Sequence, residues 1–153
     1  MGRSIDGSAC EAFARSWRDD EVAHKRAQDL PCATRLRAHL ERARIAAGVF
    51  RLTTEAGRPG AYRFAEVGED VTRLLPFARP GARLDGAYTW LERRDADRLL
   101  QGILEARAKR TPVRLEGALS LGPIRNAFEL VLAPALTDNE TLEYWGAVEP
   151  RAA

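Results

Sequence analysis

The side chains able to hold a metal or transfer a group are few and scattered. Cysteine occurs at Cys10 and Cys32 and histidine at His24 and His39, all four before residue 49. Their types suit zinc, but the close-spaced pairs of structural zinc sites are missing, so no metal is expected. Asp95 and Asp97 open a stretch of helical periodicity, where an N-cap and a partner for the helix dipole account for both. Glu66 stands among apolar neighbours on a strand pattern, and alternation can put such a residue on either face. Asp85 falls in a loop beside Gly86. No nucleophile stands at motif spacing from a base, and no glycine-rich phosphate loop occurs. Gly57-Arg58-Pro59-Gly60 reads as a turn whose proline lacks the donor a phosphate cradle needs. These residue types predict no catalytic residue and no enzyme.

Arg35, Arg37, Arg42 and Arg44 make one predicted helix basic, with Glu41 among them. A nucleic-acid or acidic-partner surface is the sharper reading. The 24 Lys and Arg residues nearly balance 22 Asp and Glu, and a net charge of +2 does not argue for nucleic acid. A solvated helix face accounts for the pattern. At 153 residues, 45% hydrophobic and 30% charged, the chain reads as one ordinary globular domain. No run reaches the ~20 apolar residues of a membrane span. Met-Gly-Arg-Ser-Ile-Asp carries no apolar signal region, which predicts a cytoplasmic protein with reduced thiols. Abundant Ala and Arg with little Lys reads as a GC-rich bacterial source.

The elements that must position these residues begin with a helix from Ser8 to about Gln28, with Ala9, Phe13 and Trp17 on one face. The acidic cluster Asp19-Asp20-Glu21 interrupts it or caps a second short helix. After Pro31, Ala33 to Ala47 reads as a helix with Leu36, Leu40, Ala43 and Ala47 on one face and Gly48 as its stop. Val49–Thr53 and Tyr62–Val67 read as a hairpin around the turn at 57–60. From Glu69 to Trp90, Pro76, Pro80, Gly81 and Gly86 permit only short helical pieces around Val71, Leu74, Leu75 and Phe77. A long helix then runs from an N-cap at Asp95, with Ala96, Leu99, Leu100, Ile103 and Leu104 as its stripe and Lys109 and Arg110 in its last turn. Pro112 stops it. Val113, Leu115, Leu119 and Leu121 alternate with polar residues in a strand, and Gly122-Pro123 turns. Phe128, Leu130 and Leu132 mark a second strand, Asp138-Asn139 a turn, and Leu142, Tyr144, Trp145 and Val148 a third strand ended by Pro150. Strands joined this closely pair as a meander and bury one face against the helix stripe.

Two strands, short helices, one long helix and three strands is the order of a PAS domain. The chain resembles that family, and more narrowly the stand-alone PAS-like proteins of alphaproteobacteria, over roughly residues 49–148. Three segments carry the resemblance: Ala61-Tyr62-Arg63-Phe64-Ala65-Glu66-Val67-Gly68, Asp95-Ala96-Asp97-Arg98-Leu99-Leu100 and Glu129-Leu130-Val131-Leu132-Ala133-Pro134-Ala135-Leu136. The chain departs from the narrower group upstream, where Pro31-Cys32-Ala33-Thr34-Arg35 replaces an expected Asp-Pro step.

The resemblance implies an α+β fold: a PAS-like five-stranded antiparallel sheet with helices on one face. Residues 1–48 form an N-terminal helical extension and 49–150 the PAS-like domain. It implies a sensory or interaction module of bacterial signal transduction. Little chain follows Val148, so output is expected through a signalling partner or self-association. Haem-binding members use a histidine in or near the long helix, and this helix has none. Photoactive flavin-binding members use a pocket cysteine in an Asn-Cys-Arg-type motif, absent here. No cofactor is expected. Any small-molecule ligand would meet Phe64, Trp90, Leu99, Ile103, Leu115, Leu130 and Tyr144, residues that equally make a plain core. Because PAS domains pair through a helix before the first strand, Ala9, Phe13 and Trp17 are the candidate homodimer contacts. The rival reading is a small ligand-binding protein or enzyme of the ketosteroid-isomerase-like cone fold, which places its helices before most of its strands.

Overall fold

Alternating apolar residues build five strands: β1 (Val49–Thr54), β2 (Tyr62–Val67), β3 (Val113–Leu121), β4 (Ile124–Leu136) and β5 (Leu142–Pro150). They form one antiparallel sheet in the order β2-β1-β5-β4-β3. The computed structural model describes residues 8–24, 30–55, 58, 60–121 and 124–151, without the side chains of 20–24, 120–121 and 124–125. The predicted turn at 122–123, residues 57 and 59 of the turn at 57–60, residues 25–28 of the first predicted helix and the side chains of His24 and Leu121 fall outside these.

Among the described residues five α-helices flank the sheet: α1 (Ala9–His24), α2 (Ala33–Arg42), α3 (Glu69–Leu74), α4 (Ala87–Trp90) and α5 (Arg93–Lys109). Helix α5 begins two residues before the predicted cap, with Glu92 at the N-cap. Asp95 lies inside the first turn instead, buried, and its Oδ2 accepts from the Ala118 backbone N–H at 3.2 Å. It thus occupies a donor on the outer edge of β3, where Leu91 also bridges Leu119. At the opposite edge, Phe64 exchanges backbone bonds with Gly81 and Ala82 at 2.7 and 2.9 Å. Covering edges in this way removes templates for further strands. Arg110 ends α5 in the left-handed conformation (φ 54°), its N–H bonded to the Ala106 carbonyl.

Helix α2 is shorter than predicted. It ends at Arg42 with Ala43 as its C-cap, and Arg44 leaves helical geometry at φ 60°. Leu36 and Leu40 are buried as expected, but Ala43 and Ala47 are exposed, and a 3-10 turn at Ala46–Gly48 leads into β1. The acidic cluster at 19–21 does not interrupt α1, which continues to His24 and leaves Asp19 exposed on the face away from the sheet.

The sheet is buried on both faces. Helices α3, α4 and α5 cover Phe50, Leu52, Phe64, Phe128, Leu130, Leu132, Tyr144 and Val148. Helices α1 and α2 cover Val49, Val131, Ala133, Ala135, Trp145 and Ala147, which alternate with the first set. Helix α1 is fixed at its start by a carboxylate from β5: Glu149 Oε1 accepts from the Ser8 hydroxyl at 2.7 Å and the Cys10 N–H at 2.8 Å. The Ser8 oxygen accepts from the Glu11 N–H, as an N-cap does. The α+β class with a five-stranded antiparallel sheet stands as predicted. Two strands before α3–α5 and three after them separate it from the cone fold. Among the described residues no helix is long and apolar enough to cross a membrane.

Candidate functional site

The seven residues named for a pocket between the long helix and the sheet are brought together, as packed side chains. Phe64, Leu99, Ile103, Leu130 and Tyr144 are buried in one cluster, and Trp90 and Leu115 lie half-buried against it. Aromatic rings fill the middle: Phe50 meets Phe64 edge-on at 5.9 Å, and Tyr62 meets Tyr144 at 5.8 Å. Burial, with Tyr62 beside it, pushes the Tyr144 phenol up to about 12, so it stays protonated at neutral pH.

The candidate dimer contacts require a correction. Phe13 and Trp17 are 0% and 1% exposed and lie against Val49, Val131 and Trp145 of the chain's own sheet. Ala9 packs half-buried beside them. An amphipathic helix next to an uncovered apolar sheet face buries its stripe there at no cost in translational freedom, and these aromatics are spent on it.

The strongest convergence of polar side chains lies under α2. Arg51 on β1 stands opposite Glu66 on β2 and Trp145 on β5, and Glu143 shares Trp145's face two residues before it. Arg37 reaches down from α2. Its Nη1 donates to Glu66 Oε1 at 2.8 Å and its Nη2 to Oε2. Arg51 Nε donates to the same Oε2 at 3.1 Å, and Arg51 Nη1 donates to Glu143 Oε1 at 3.0 Å. The Trp145 indole donates to Glu143 Oε2 at 2.7 Å. Both guanidiniums lie over the Trp145 ring, at 5.0 Å for Arg37 and 6.0 Å for Arg51. The Arg37 hydrogen bonds, aided by its charge and that of Arg51, hold the Glu66 carboxyl below the ordinary carboxylate value, with desolvation by burial the second-largest influence and opposed to them. Two cavities flank this cluster, one of about 160 Å³ toward Leu40, Val49 and Phe50, the other of about 230 Å³ toward Thr34 and Thr137.

Of these five residues the sequence reading singled out Glu66 as pocket-facing or solvent-facing and placed Arg37 on a basic helix face. Arg51 and Glu143 carry no role in that reading, and Trp145, read as a third-strand aromatic near the α5 pocket, lies instead on the opposite face. Their signal was present: one charged or amphipathic residue among apolar neighbours in each of three strands. What it lacked was the register that sets them opposite one another.

A larger open groove of about 970 Å³ runs past Ser8, Arg44, Leu74 and Pro150. Its charges are largely matched, with Arg114 bonded to Glu11 and Glu129 and Arg73 to Asp70. Cys10 is wholly buried, its thiol directed at the Glu129 and Ala147 carbonyls, and burial together with Glu149 and Glu129 pushes it far up into an unreactive range. Cys32 is half-buried, 3.7 Å from Asp138. Among the described residues no three His, Cys, Asp or Glu side chains converge as a metal site would require.

No family model and no curated protein matches the chain. Solved structures do. The chain is similar to a light-oxygen-voltage domain studied with a flavin analogue (TM-score 0.52, 9% identity, 75% of this chain and 85% of that one). It is similar to an RNA-binding light-oxygen-voltage receptor (TM-score 0.50, 16% identity, 69% of this chain) and spans 31% of that receptor's length. A PAS domain of an HTR-like protein from Haloarcula marismortui aligns with 12% identity and a TM-score of 0.44. At these identities the likeness to the two light-oxygen-voltage structures is one of fold, and the fold is PAS-like.

Proposed function

We propose that this chain is a PAS-like sensory and interaction module that acts in bacterial signalling through a partner protein or through self-association, and is not an enzyme. One observation carries the reading: a sheet in the order β2-β1-β5-β4-β3 with α3, α4 and α5 over one face. The residues under those helices do not fit the chemistry of a photoactive flavin domain. Cys10 and Cys32 both belong to the region under or beside α1 and α2, so no described cysteine faces the space where a flavin would sit. Nor does α5 carry a histidine for haem. Against catalysis stand the groups themselves. Glu66 is held below the ordinary carboxylate value by Arg37, and Tyr144 and Cys10 are held protonated by burial, so none of the three is poised as a base near neutrality, while Glu143 is engaged by Arg51 and the Trp145 indole.

Any surface for pairing must lie outside the buried face of α1. Leu104 on α5 and Tyr88 on α4 are the large apolar side chains exposed among the described residues. Native mass spectrometry of the chain purified from its own host tests the proposal. A homodimer, or a stoichiometric complex with another protein, is the expected species. A monomer without partner at micromolar concentration overturns it.

A further inference from the structure

We propose that the gap beneath α2 binds a small monocarboxylic acid with an apolar body, whose carboxylate replaces Glu66 between Arg37 and Arg51. The inference is independent of the partner proposed above and concerns the face of the sheet opposite α3–α5.

Two guanidiniums already converge on one carboxylate there. Arg37 grips Glu66 in the two-pronged geometry that fits a carboxylate plane, and Arg51 adds a third donor at 3.1 Å. The two acidic residues of the cluster differ in mobility. The Glu143 side chain is 4% exposed and fixed by both Arg51 and the Trp145 indole. The Glu66 side chain is 42% exposed, stands on edge strand β2, and can turn into water with its charge fully solvated. Glu66 therefore acts as an internal stand-in for a ligand. With Glu66 turned out, two positive charges face one fixed negative charge, leaving one unit of positive charge for a monoanion. Glu41 and Asp138 sit exposed at the rims of the two cavities, where solvent and salt screen them.

The space next to the arginines selects the rest of the molecule. The cavity of about 160 Å³ is lined by Leu40, Val49, Phe50, Val67 and Trp145 on its apolar side and by Arg37, Glu41, Arg51 and Glu66 on its polar side. That volume is roughly five times the ~30 Å³ of a water in the liquid, enough for a branched-chain or single-ring body. The apolar walls give little to a bare inorganic anion, and the paired guanidiniums repel an amine. Binding in this gap couples to α2, because Arg37 ties α2 to Glu66 of β2.

Isothermal titration calorimetry of the full chain with phenylacetate as probe is the test. Saturable binding to the wild type is expected, strengthened about tenfold or more in Glu66→Gln, where the internal competitor has lost its charge, and weakened by a similar factor in Arg37→Gln. Failure of Glu66→Gln to bind more tightly overturns the assignment. So does equal binding of phenylethylamine or of inorganic phosphate, the second marking an unselective anion site. Should Glu66→Gln not fold, hydrogen exchange of the wild type decides instead. A change in the protection of residues 33–42 with phenylacetate supports the site, and unchanged protection overturns it.

Discussion

The indole of Trp17 donates a hydrogen bond of 2.8 Å to the main-chain oxygen of Pro134. This contact explains a proline in an inner strand. Strand β3 begins at Val113, opposite Leu132, so at Pro134 there is no β3 neighbour awaiting an N–H. The Pro134 carbonyl takes Trp17 instead. Two residues on, Leu136 donates to Pro31 and pairs in parallel with Cys32, which fills the place β3 has vacated. The segment Pro31–Cys32, the departure from the expected Asp-Pro step, thus makes a single parallel bridge to the end of β4.

Trp17→Phe should keep most of the packing and leave the buried Pro134 carbonyl without a donor, a loss of about 1–3 kcal/mol. Trp17→Ala should cost about 3–5 kcal/mol. Phe13→Ala combined with Trp17→Ala removes a sum comparable to the roughly 5–15 kcal/mol that holds a domain folded, less any coupling between the neighbours. The expected outcome for the double variant is unfolding in a urea titration. A folded double variant that merely changes its sedimentation would return these residues to an interface role.

Two glycines make opposite demands. A Cβ at Gly146 would stand 2.4 Å from both the Phe50 ring and the Val131 carbonyl oxygen, and the second of these is backbone in the neighbouring strand. Gly146→Ala should cost about 1–3 kcal/mol or more through overpacking. At Gly102 the nearest atom, 2.7 Å away, is a terminal methyl of Leu115, which can turn aside. Gly102→Ala in the middle of α5 also gains about 0.5–1 kcal/mol of helix propensity, so its net effect should be small. Thermal unfolding of the two variants checks the contrast, and equal losses would mean that Leu115 is as fixed as the sheet.

Helix α5 gives a third test. Ile103 is wholly buried and Arg107 exposed. Ile103→Ala should cost about 2–5 kcal/mol, and Arg107→Ala should stay within about 0.5 kcal/mol, as surface changes do. Urea midpoints falling together would contradict the packing of α5 on the sheet.

The strands and the long helix were legible because period and chemistry agreed. Val113, Leu115 and Leu119 alternate, Ala96, Leu99 and Ile103 recur at helical spacing, and both patterns face one cluster. Beyond the fold's own periods, legibility failed. The stripe Ala9, Phe13 and Trp17 declared that α1 must bury a face and was silent on whose surface would receive it. The residues that decide it, Val131, Ala133, Ala135 and Ala147, occupy strand positions that a one-sided sheet would leave to solvent; their apolar character was the available sign of a second covered face. Asp95 looked like a cap because an acid at a helix start needs no further explanation, and its true partner at Ala118 is a tertiary contact. The cluster under α2 depends on cross-strand register, and only pairing between β1, β2 and β5 makes Arg51, Glu66 and Trp145 neighbours.

The last prediction concerns pH. Hydrogen bonding by Arg37, reinforced by the charges of Arg37 and Arg51, holds the folded-state pKa of Glu66 below its ordinary value of 4.5. A depressed folded pKa contributes stability that is fully present above the unfolded value and is lost as pH falls through the folded one. The side chain is 42% exposed, so screening by solvent limits the contribution to about 0.2–1 kcal/mol, the range of exposed ion pairs. Glu66→Gln should therefore be slightly less stable than wild type at neutral pH, and the difference should close as pH is lowered below about 4.5. Added salt should shrink the neutral-pH difference as well. Urea midpoints of both proteins, measured at stepped pH and at low and high salt, provide the check. A difference that persists unchanged at acid pH would show that Glu66 stabilises α2 by something other than its charge.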